Sequence, residues 1–339
     1  MSVFFSTGAL QGEIMENPVV YLGTIGQGIW KSTDGGGTWN RQANGLFAEA
    51  DIRAIAVRPD NTNILFAGTE KGLYRSDSAG QSWYQVDSPM NGHQIWSMAI
   101  DPSNPDTLYV GTCPSDLFKS DDNGENWHKL SVELADECAG GAIVPRVTTI
   151  KIDPDDVNTI YAGIEIDGFR HSTDGGKTWA TINEGLSSLD IHGIAVIPGS
   201  PKTLVVATNN DVCITQDLKT WLPLSVKDHY PWPYARAADY IQSSVNDEGR
   251  LFIGAGNGPP GNQGGIFISS DNCKSWTRAD LGHTVNSTIW NFAYRKSVPG
   301  WIMAYSISGQ LFRSADNGDS WEKLDREFGE VRGLEIVPA

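Results

Sequence analysis

Short apolar segments recur along the whole chain, and each ends in polar or glycine-rich turn residues. In one unit, residues 52–57 precede the turn Arg58-Pro59-Asp60, and further apolar segments follow at 64–69 and 72–75. Segments of this length, rich in β-branched residues and separated by turn signals, are typical of β-strands. The pattern predicts an all-β chain whose repeating unit runs strand A, tight turn, strand B, loop, strand C, turn, strand D.

An octapeptide in the turn before strand D fixes the length of the repeat. Its first copy is STDGGGTW at residues 32–39. Five more full copies and one shortened copy follow, and the tryptophans that end the seven copies are Trp39, Trp83, Trp127, Trp179, Trp221, Trp276 and Trp321. Successive tryptophans lie about 45 residues apart, which is the size of one four-stranded propeller blade. The seven copies therefore predict seven blades.

The octapeptide resembles the Asp-box, or bacterial neuraminidase, repeat, whose pattern is S-x-D-x-G-x-[ST]-W. Single copies depart from it, since Ser78 replaces the aspartate, Asn126 the serine or threonine, and Cys273 the glycine. The resemblance covers essentially the whole chain and implies a seven-bladed β-propeller, which we expect to form one domain over residues 1–339. Sialidases, xyloglucanase-type glycosidases and photosystem II assembly factors are the relatives to which the repeat points.

The repeat itself is expected to be structural. Its serine and aspartate suit hydrogen bonds to turn backbone, its glycine permits positive φ, and its tryptophan packs against the blade. Residues 121–125 (DDNGE) also look like a calcium-binding loop. The same turn recurs where those acidic ligands are missing, so no metal and no other cofactor is predicted.

The two ends of the chain complement each other. The first predicted strand is a strand B at residues 19–23, and the last is a lone strand A at residues 331–337. The C-terminal strand is therefore expected to complete the first blade, which would leave no free sheet edge there.

The irregular insertions are all predicted at one end of the propeller, which we call the top. They are residues 130–145, 222–234 and 254–265. Strand A lines the channel of a propeller, and each strand A contributes one residue to the same layer near the top. These seven residues are Arg53, Trp96, Thr148, His192, Arg236, Trp290 and Arg332.

This layer predicts a site for a carboxylate or another anion. Guanidinium groups match carboxylates bidentately, and tryptophan rings stack on apolar or sugar faces. The predicted substrate-binding residues are Arg53, Trp96, Arg146, Arg236, Trp290 and Arg332. The predicted catalytic residues are His192, Tyr234 and Asp167, because imidazole, phenol and carboxyl groups transfer protons. Trp232 is expected to close the site from above.

Two other interpretations of the layer stay open. Asp51, Asp190 and Glu330 each lie two residues before a member of the layer, so the channel mouth is alternatively a salt-bridged structural plug. A metal held by top-face histidines is disfavoured, because His93, His229 and His283 are offset differently from the layer.

Charge and cysteine content exclude some classes of function. The formal net charge of −16 argues against nucleic-acid binding, and no apolar run reaches the length of a membrane span. The first residues lack a secretory signal pattern, so we expect a cytoplasmic protein or a mature secreted form. Cys113 and Cys138 both map to the top and either pair or simply pack.

The predicted function is binding of an anionic, carboxylated, aromatic or sugar-like small molecule, with lyase- or hydrolase-type turnover. One alternative is glycoside hydrolysis, with Glu165 and Asp167, or Asp190 and Asp116, as the carboxyl pair. The other alternative is a non-catalytic scaffold that binds a protein partner, as the resemblance to photosystem II assembly factors implies.

Overall fold

The computed structural model describes residues 17–137, 144–243 and 248–339, and in these ranges the chain forms seven four-stranded antiparallel sheets. Helical structure in the same ranges is confined to the 3-10 turn Val226–Asp228. The innermost strands of successive sheets contact each other in a closed ring, so the sheets are the blades of a propeller. The predicted all-β, seven-bladed fold is confirmed.

The strands in the first half of the chain are β1 (Val19–Thr24), β2 (Gly28–Ser32), β3 (Asn40–Gln42), β4 (Ala54–Val57), β5 (Leu65–Thr69), β6 (Gly72–Ser76), β7 (Tyr84–Gln85), β8 (Gln94–Ile100), β9 (Leu108–Cys113), β10 (Leu117–Ser120), β11 (His128–Lys129), β12 (Val147–Ile152), β13 (Ile160–Ile164) and β14 (Gly168–Ser172). Those in the second half are β15 (Ala180–Thr181), β16 (Ile191–Ile197), β17 (Thr203–Thr208), β18 (Val212–Thr215), β19 (Leu222–Pro223), β20 (Tyr234–Gln242), β21 (Gly249–Gly256), β22 (Gly264–Ser269), β23 (Thr277–Arg278), β24 (Ile289–Tyr294), β25 (Ile302–Ser306), β26 (Leu311–Ser314), β27 (Glu322–Lys323) and β28 (Val331–Val337).

Six blades consist of four consecutive strands, and the first blade is completed from the far end of the chain. In that blade β28 pairs antiparallel with β1, which places Val20 opposite Ile336 and Leu22 opposite Leu334. All four side chains are buried. The predicted closure by the C-terminal strand is confirmed, and the pairing covers the inner edge of the first blade.

Glycines in the second strand of several blades let the next blade approach closely. A Cβ on Gly68 of β5 would lie 2.7 Å from the side chain of Ile95 in β8, and one on Gly163 of β13 would lie 2.5 Å from Ile191 in β16. Close-packed interiors do not accommodate such overlaps without movement. The glycines therefore set the spacing between blades, and with it the width of the channel.

The Asp-box turns are held by the residues of the repeat. In the first copy Ser32 Oγ donates to Asp34 Oδ1 (2.6 Å), the Gly36 amide donates to Ser32 Oγ (2.8 Å), and the Trp39 indole N–H donates to the Gly36 carbonyl (2.9 Å). The hydrogen bonds from Ser32 and from the Thr38 backbone lower the pKa of Asp34 to about 2. Both carboxylate oxygens of Asp34 accept hydrogen bonds within its own turn, in agreement with a structural role.

The sixth copy shows how the turn tolerates a departure from the pattern. Cys273 stands in place of glycine and still adopts φ 68°. The indole N–H of Trp276 has no hydrogen-bond partner among the described residues, whereas the equivalent N–H of Trp321 donates to Gly318. The turn geometry survives the substitution, and one hydrogen bond is lost.

The second and third insertions are shorter in the structure than the sequence predicted, whereas the first occupies the whole segment between β11 and β12. Leu222 and Pro223 form β19, so the second insertion starts at residue 224, and only residues 257–263 separate β21 from β22. Residues 138–143 of the first insertion lie outside the described residues, and with them the possible pairing of Cys113 with Cys138. None of the described segments is a helix with the length and hydrophobicity that a membrane crossing requires.

Candidate functional site at the top of the channel

The innermost strands of the blades enclose a cavity of about 340 Å³ in the channel. A cavity of this size matches the range, about 300–1,000 Å³, that small ligands occupy. All seven residues of the predicted layer line it, namely Arg53, Trp96, Thr148, His192, Arg236, Trp290 and Arg332. The repeat therefore brings together side chains that lie far apart in the sequence.

Guanidinium groups stack on the two indole rings at the top of this cavity. The guanidinium carbons of Arg146 and Arg53 lie 4.3 and 5.0 Å from the ring centre of Trp96. Those of Arg236 and Arg332 lie 4.2 and 4.5 Å from the ring centre of Trp290. Cation–π contacts of this kind stabilise a desolvated guanidinium without neutralising its charge. We call Arg53, Trp96, Arg236, Trp290 and Arg332 the arginine–tryptophan layer.

Two arginines of this layer are balanced by acids from their own segments. Arg53 Nη2 lies 3.0 Å from Asp51 Oδ2, and Arg332 Nε lies 2.6 Å from Glu330 Oε1. Just outside the layer, Arg146 forms an ion pair with Glu165. These three pairs agree with the part of the sequence analysis that allowed an internally paired channel mouth.

Arg236 is different, because its charge has no such partner. Its residue surface is only 8% exposed, and no carboxylate of the described residues lies within ion-pair distance. Its Nε has no hydrogen-bond partner in the described ranges, and its Nη1 reaches only the His192 carbonyl at a long 3.4 Å. Burial and the charge of Arg332 lower the pKa of Arg236, with Tyr234 and Asp190 opposing them. A buried cation without a partner is energetically unfavourable.

Asp190, which the sequence suggested as a partner for the arginines, contacts His192 instead. His192 Nε2 lies 3.1 Å from Asp190 Oδ1, and His192 Nδ1 lies 2.9 Å from the Ala235 carbonyl oxygen. Burial and the nearby charge of Arg236 lower the pKa of His192 below its usual value. Since both ring nitrogens face protein atoms, proton transfer by His192 requires the contact with Asp190 to open.

The other two predicted catalytic residues have different surroundings. The Tyr234 ring centre lies 5.0 Å from that of His192, which places this phenol beside the layer, and burial raises its pKa. Asp167 is used elsewhere, because its carboxylate lies 2.6 Å from Arg170 Nη2 and accepts the Ala135 amide at 2.9 Å. Asp167 thus anchors the first insertion, and both of these contacts lie outside the predicted layer.

Other predicted neighbours of the site are also placed differently. Trp232 packs against Phe267 in the core between the fifth and sixth blades and does not line the cavity, so it does not close the site from above. Thr148 is in the layer, but its hydroxyl donates to the Gly163 and Ile191 carbonyls. The layer is therefore dominated by arginine, tryptophan and histidine.

The structure assembles one group of potential metal ligands that the sequence analysis did not recognise. Within the described ranges, only Glu165, Asp190 and His192 form such a trio, each offering an atom within 4.8 Å of the others. The top-face histidines His93, His229 and His283 do not take part. The sequence indicated Glu165 only as one half of a possible carboxyl pair. Its position directly after β13 does not predict that it lies close to Asp190 and His192.

A second polar group lies deeper in the channel. Lys151 Nζ contacts Asp239 Oδ1 at 2.6 Å, and Arg295 Nη2 lies 3.7 Å from Glu335 Oε2. Burial raises the pKa of Glu335 to about 7, against the opposing charges of Arg295 and Lys151, and Asp239 raises it further. Glu335 therefore titrates near neutral pH.

Replacing Glu335 by glutamine is expected to make stability less dependent on pH. A carboxyl whose pKa is raised in the folded state stabilises the fold below its unfolded pKa, and this contribution is lost as the pH rises toward 7. Glu335→Gln should match the wild type near pH 4.5 and exceed it at pH 8 by roughly 1–3 kcal/mol, since part of the side chain contacts solvent. Urea unfolding at the two pH values measures the difference. The exposed Glu184→Gln is the control, and an unchanged pH profile for Glu335→Gln would refute the assignment.

Family models match two parts of the chain. The model described as "Sortilin, neurotensin receptor 3" matches residues 27–139, and the BNR/Asp-box repeat model matches residues 170–181. The second match contains the fourth copy of the octapeptide at residues 172–179. The chain therefore carries the repeat that its sequence pattern indicated.

Similar proteins include glycoside hydrolases and an assembly factor. A xyloglucanase of Paenibacillus sp. is 23% identical over 89% of this chain and 34% of its own length. A probable oligoxyloglucan-reducing end-specific xyloglucanase of Neosartorya fischeri is 26% identical over 45% of this chain and 22% of its own length. The photosystem II assembly lipoprotein Ycf48 of Synechococcus sp. is 21% identical over 78% of this chain and 73% of its own length. The chain thus spans only about a third or less of these two xyloglucanases.

Solved structures agree in fold. An ancestral GH74 enzyme superposes with a TM-score of 0.56 at 16% identity, over 94% of this chain and 55% of the other. A structure described as YCF48 bound to D1 peptide gives 0.56 at 15% identity, over 81% of each chain. Identities this low establish the common propeller fold alone.

Proposed function

Given that the chain is an Asp-box repeat β-propeller, we propose that it binds a carboxylate-bearing ligand, aromatic or sugar-like, at the arginine–tryptophan layer. The observation that carries this proposal is Arg236, a buried guanidinium with no carboxylate partner among the described residues, facing a cavity of about 340 Å³. A ligand carboxylate would supply the missing charge and accept hydrogen bonds from Nε and an Nη of one guanidinium.

The tryptophans indicate the rest of the ligand. Trp96 and Trp290 both line the cavity and are held in place by stacked guanidinium groups. Indole rings contact aromatic rings and the apolar faces of sugars, and they do so edge-on where guanidinium groups cover their faces. The ligand that fits this combination has a carboxylate attached directly to a ring. D-Glucuronate and benzoate are simple probes of the two ring types.

Turnover of this ligand by hydrolysis or elimination is a further part of the proposal. Tyr234 lies beside His192 at the edge of the layer, and its phenol is the proposed proton-transfer group because both ring nitrogens of His192 already contact protein atoms. The similarity to xyloglucanases supports hydrolysis as the reaction class. Tyr234→Phe should abolish turnover and leave ligand affinity nearly unchanged.

The binding proposal is tested by thermal unfolding with matched ligand pairs. D-Glucuronate and benzoate should raise the unfolding temperature of the wild type, whereas D-glucose and benzamide, which lack the carboxylate, should not. Arg236→Lys keeps a charge but loses the planar fork and the stacking, so it should lose most of the shift. Arg250→Lys, at an ion pair with Asp319, is the control and should keep it. No shift with either acid, or an equal shift in Arg236→Lys, contradicts the proposal.

A peptide ligand is the second candidate, and the similarity to Ycf48 favours it, because a Ycf48 structure contains a bound D1 peptide. A peptide that ends in a free carboxylate presents the same charge to Arg236. Stabilisation by a short peptide acid, but not by its amide and not by the ring acids, would select this candidate over the small-molecule ligand.

A further inference from the structure

At the edge of the layer, three side chains that can each ligate a metal ion converge. They are Glu165, Asp190 and His192, and an atom from each lies within 4.8 Å of the other two. They come from different parts of two neighbouring blades, since Glu165 follows β13 whereas Asp190 and His192 flank the start of β16. The fold, and not local sequence, brings them together.

The orientation of the imidazole is fixed by the backbone. His192 Nδ1 lies 2.9 Å from the Ala235 carbonyl oxygen, and a carbonyl can only accept, so this nitrogen carries a proton. In the neutral ring, Nε2 then carries a lone pair that points away from that carbonyl. Metal-binding histidines show this arrangement, in which one nitrogen donates to a carbonyl and the other is free to ligate.

The lone pair of Nε2 lies next to another acceptor. Asp190 Oδ1 is 3.1 Å from Nε2 and has no other partner within the described ranges. The His192 side chain is only 3% exposed, so water does not screen the two atoms well. Two ligands of one ion with bonds of about 2.1 Å lie about 3.0–3.4 Å apart at octahedral or tetrahedral angles. The observed separation falls in this range.

From this geometry we propose that Glu165, Asp190 and His192 bind a divalent transition-metal ion. One imidazole nitrogen and two carboxylates suit ions such as Zn²⁺ and Co²⁺. Three protein ligands leave coordination positions for water or substrate, which is the ligand count of catalytic zinc sites. The Glu165 and Asp190 side chains are 18% and 15% exposed, so solvent reaches the trio.

Two nearby cationic side chains repel a bound metal ion and lower the affinity of the trio for it. Arg146 is paired with Glu165, and Arg236 lies close enough to affect both His192 and Asp190 electrostatically. Metal binding therefore requires Glu165 to turn from Arg146 toward the ion. An anionic ligand at Arg236 would offset this repulsion, so carboxylate and metal should strengthen each other's binding.

Metal binding also changes the role of His192. A histidine that ligates an ion through Nε2 does not transfer protons, so the ligand role and the predicted acid–base role exclude each other. A bound ion would instead lower the pKa of a water molecule at the mouth, which supplies a nucleophile for hydrolysis.

The test is titration of tag-free, chelator-treated full-length protein with Zn²⁺ by calorimetry and with Co²⁺ by visible absorption. The wild type should bind one ion, and His192→Ala and Asp190→Asn should each weaken binding at least about tenfold. His229→Ala removes an exposed histidine outside the trio and should bind as the wild type does. Absence of saturable binding, or equal binding in both trio variants, overturns the proposal.

Two further measurements keep this test independent of folding and of the carboxylate site. Thermal unfolding establishes that each variant is folded. If His192→Ala does not fold, the metal titration of Asp190→Asn decides the test, because asparagine keeps the shape of the side chain. D-Glucuronate and benzoate binding to the metal-free protein is measured in parallel. If the acids bind and the metals do not, only the proposed metal site is wrong. If the metals bind and the acids do not, only the proposed carboxylate site is wrong.

Discussion

Arg236→Met is expected to stabilise the ligand-free protein while removing its affinity for carboxylates. The guanidinium is buried, has no carboxylate partner among the described residues, and makes only one long hydrogen bond. Methionine fills much of the same volume and retains a contact with the Trp290 ring. Replacement of a buried charged group by an apolar side chain of similar volume can raise the free energy of unfolding by up to about 1–4 kcal/mol, because the cost of desolvating the charge is removed. Urea unfolding and ligand titration of the same preparation measure both effects.

The combination of the two effects distinguishes a binding residue from a structural one. If Arg236 were part of a self-sufficient plug, its replacement would lower the free energy of unfolding by several kcal/mol, as removal of one partner of a buried pair does. That result would contradict the proposed site. Arg53→Met is the informative comparison, because Arg53 is paired with Asp51 and should not show the gain in stability.

Removal of β28 is expected to prevent cooperative folding. Val331, Leu334, Ile336 and Val337 in this strand are at most 7% exposed. Burial of one such side chain contributes about 1.5–3 kcal/mol, so the four together are comparable with the whole stability of a typical domain, about 5–15 kcal/mol. A chain that ends at residue 330 should lack a cooperative thermal transition and near-ultraviolet circular dichroism.

A shorter truncation provides the control for this experiment. Pro338 and Ala339 are exposed, and a chain that ends at residue 337 should unfold as the full chain does. Ile336→Ala should lower the free energy of unfolding by about 2–5 kcal/mol without abolishing the transition. If the chain that ends at residue 330 melted cooperatively at the wild-type temperature, the closure of the first blade would not be needed for folding.

The fold was predictable because its information is local and repeated. Each Asp box specifies one turn through contacts between residues at most four apart, such as Ser32 with Asp34 and Gly36. Seven such turns at a spacing of about 45 residues allow one closed arrangement of four-stranded blades. Strand limits were less predictable, as β19 and β21 show, because outer strands and loop ends have weak hydrophobic patterns.

The positions of the layer could also be predicted, but their contacts could not. Equivalent positions of strand A had to meet in the channel, which is why Arg53, Trp96 and Arg236 line one cavity. Which acid pairs with which base depends on side-chain rotamers and on loop paths. Asp190 contacts His192 and leaves Arg236 unpaired, while Asp167 turns to Arg170. No sequence spacing distinguishes these outcomes from their alternatives.

The most direct test of the proposed site is a crystal structure with whichever of D-glucuronate and benzoate stabilises the protein more. We expect the carboxylate to lie in the channel mouth with both oxygens about 2.7–2.9 Å from Arg236 nitrogens, and the ring to contact the Trp290 or Trp96 indole. A ligand bound elsewhere, or an empty mouth in a crystal soaked to saturation, would contradict the account.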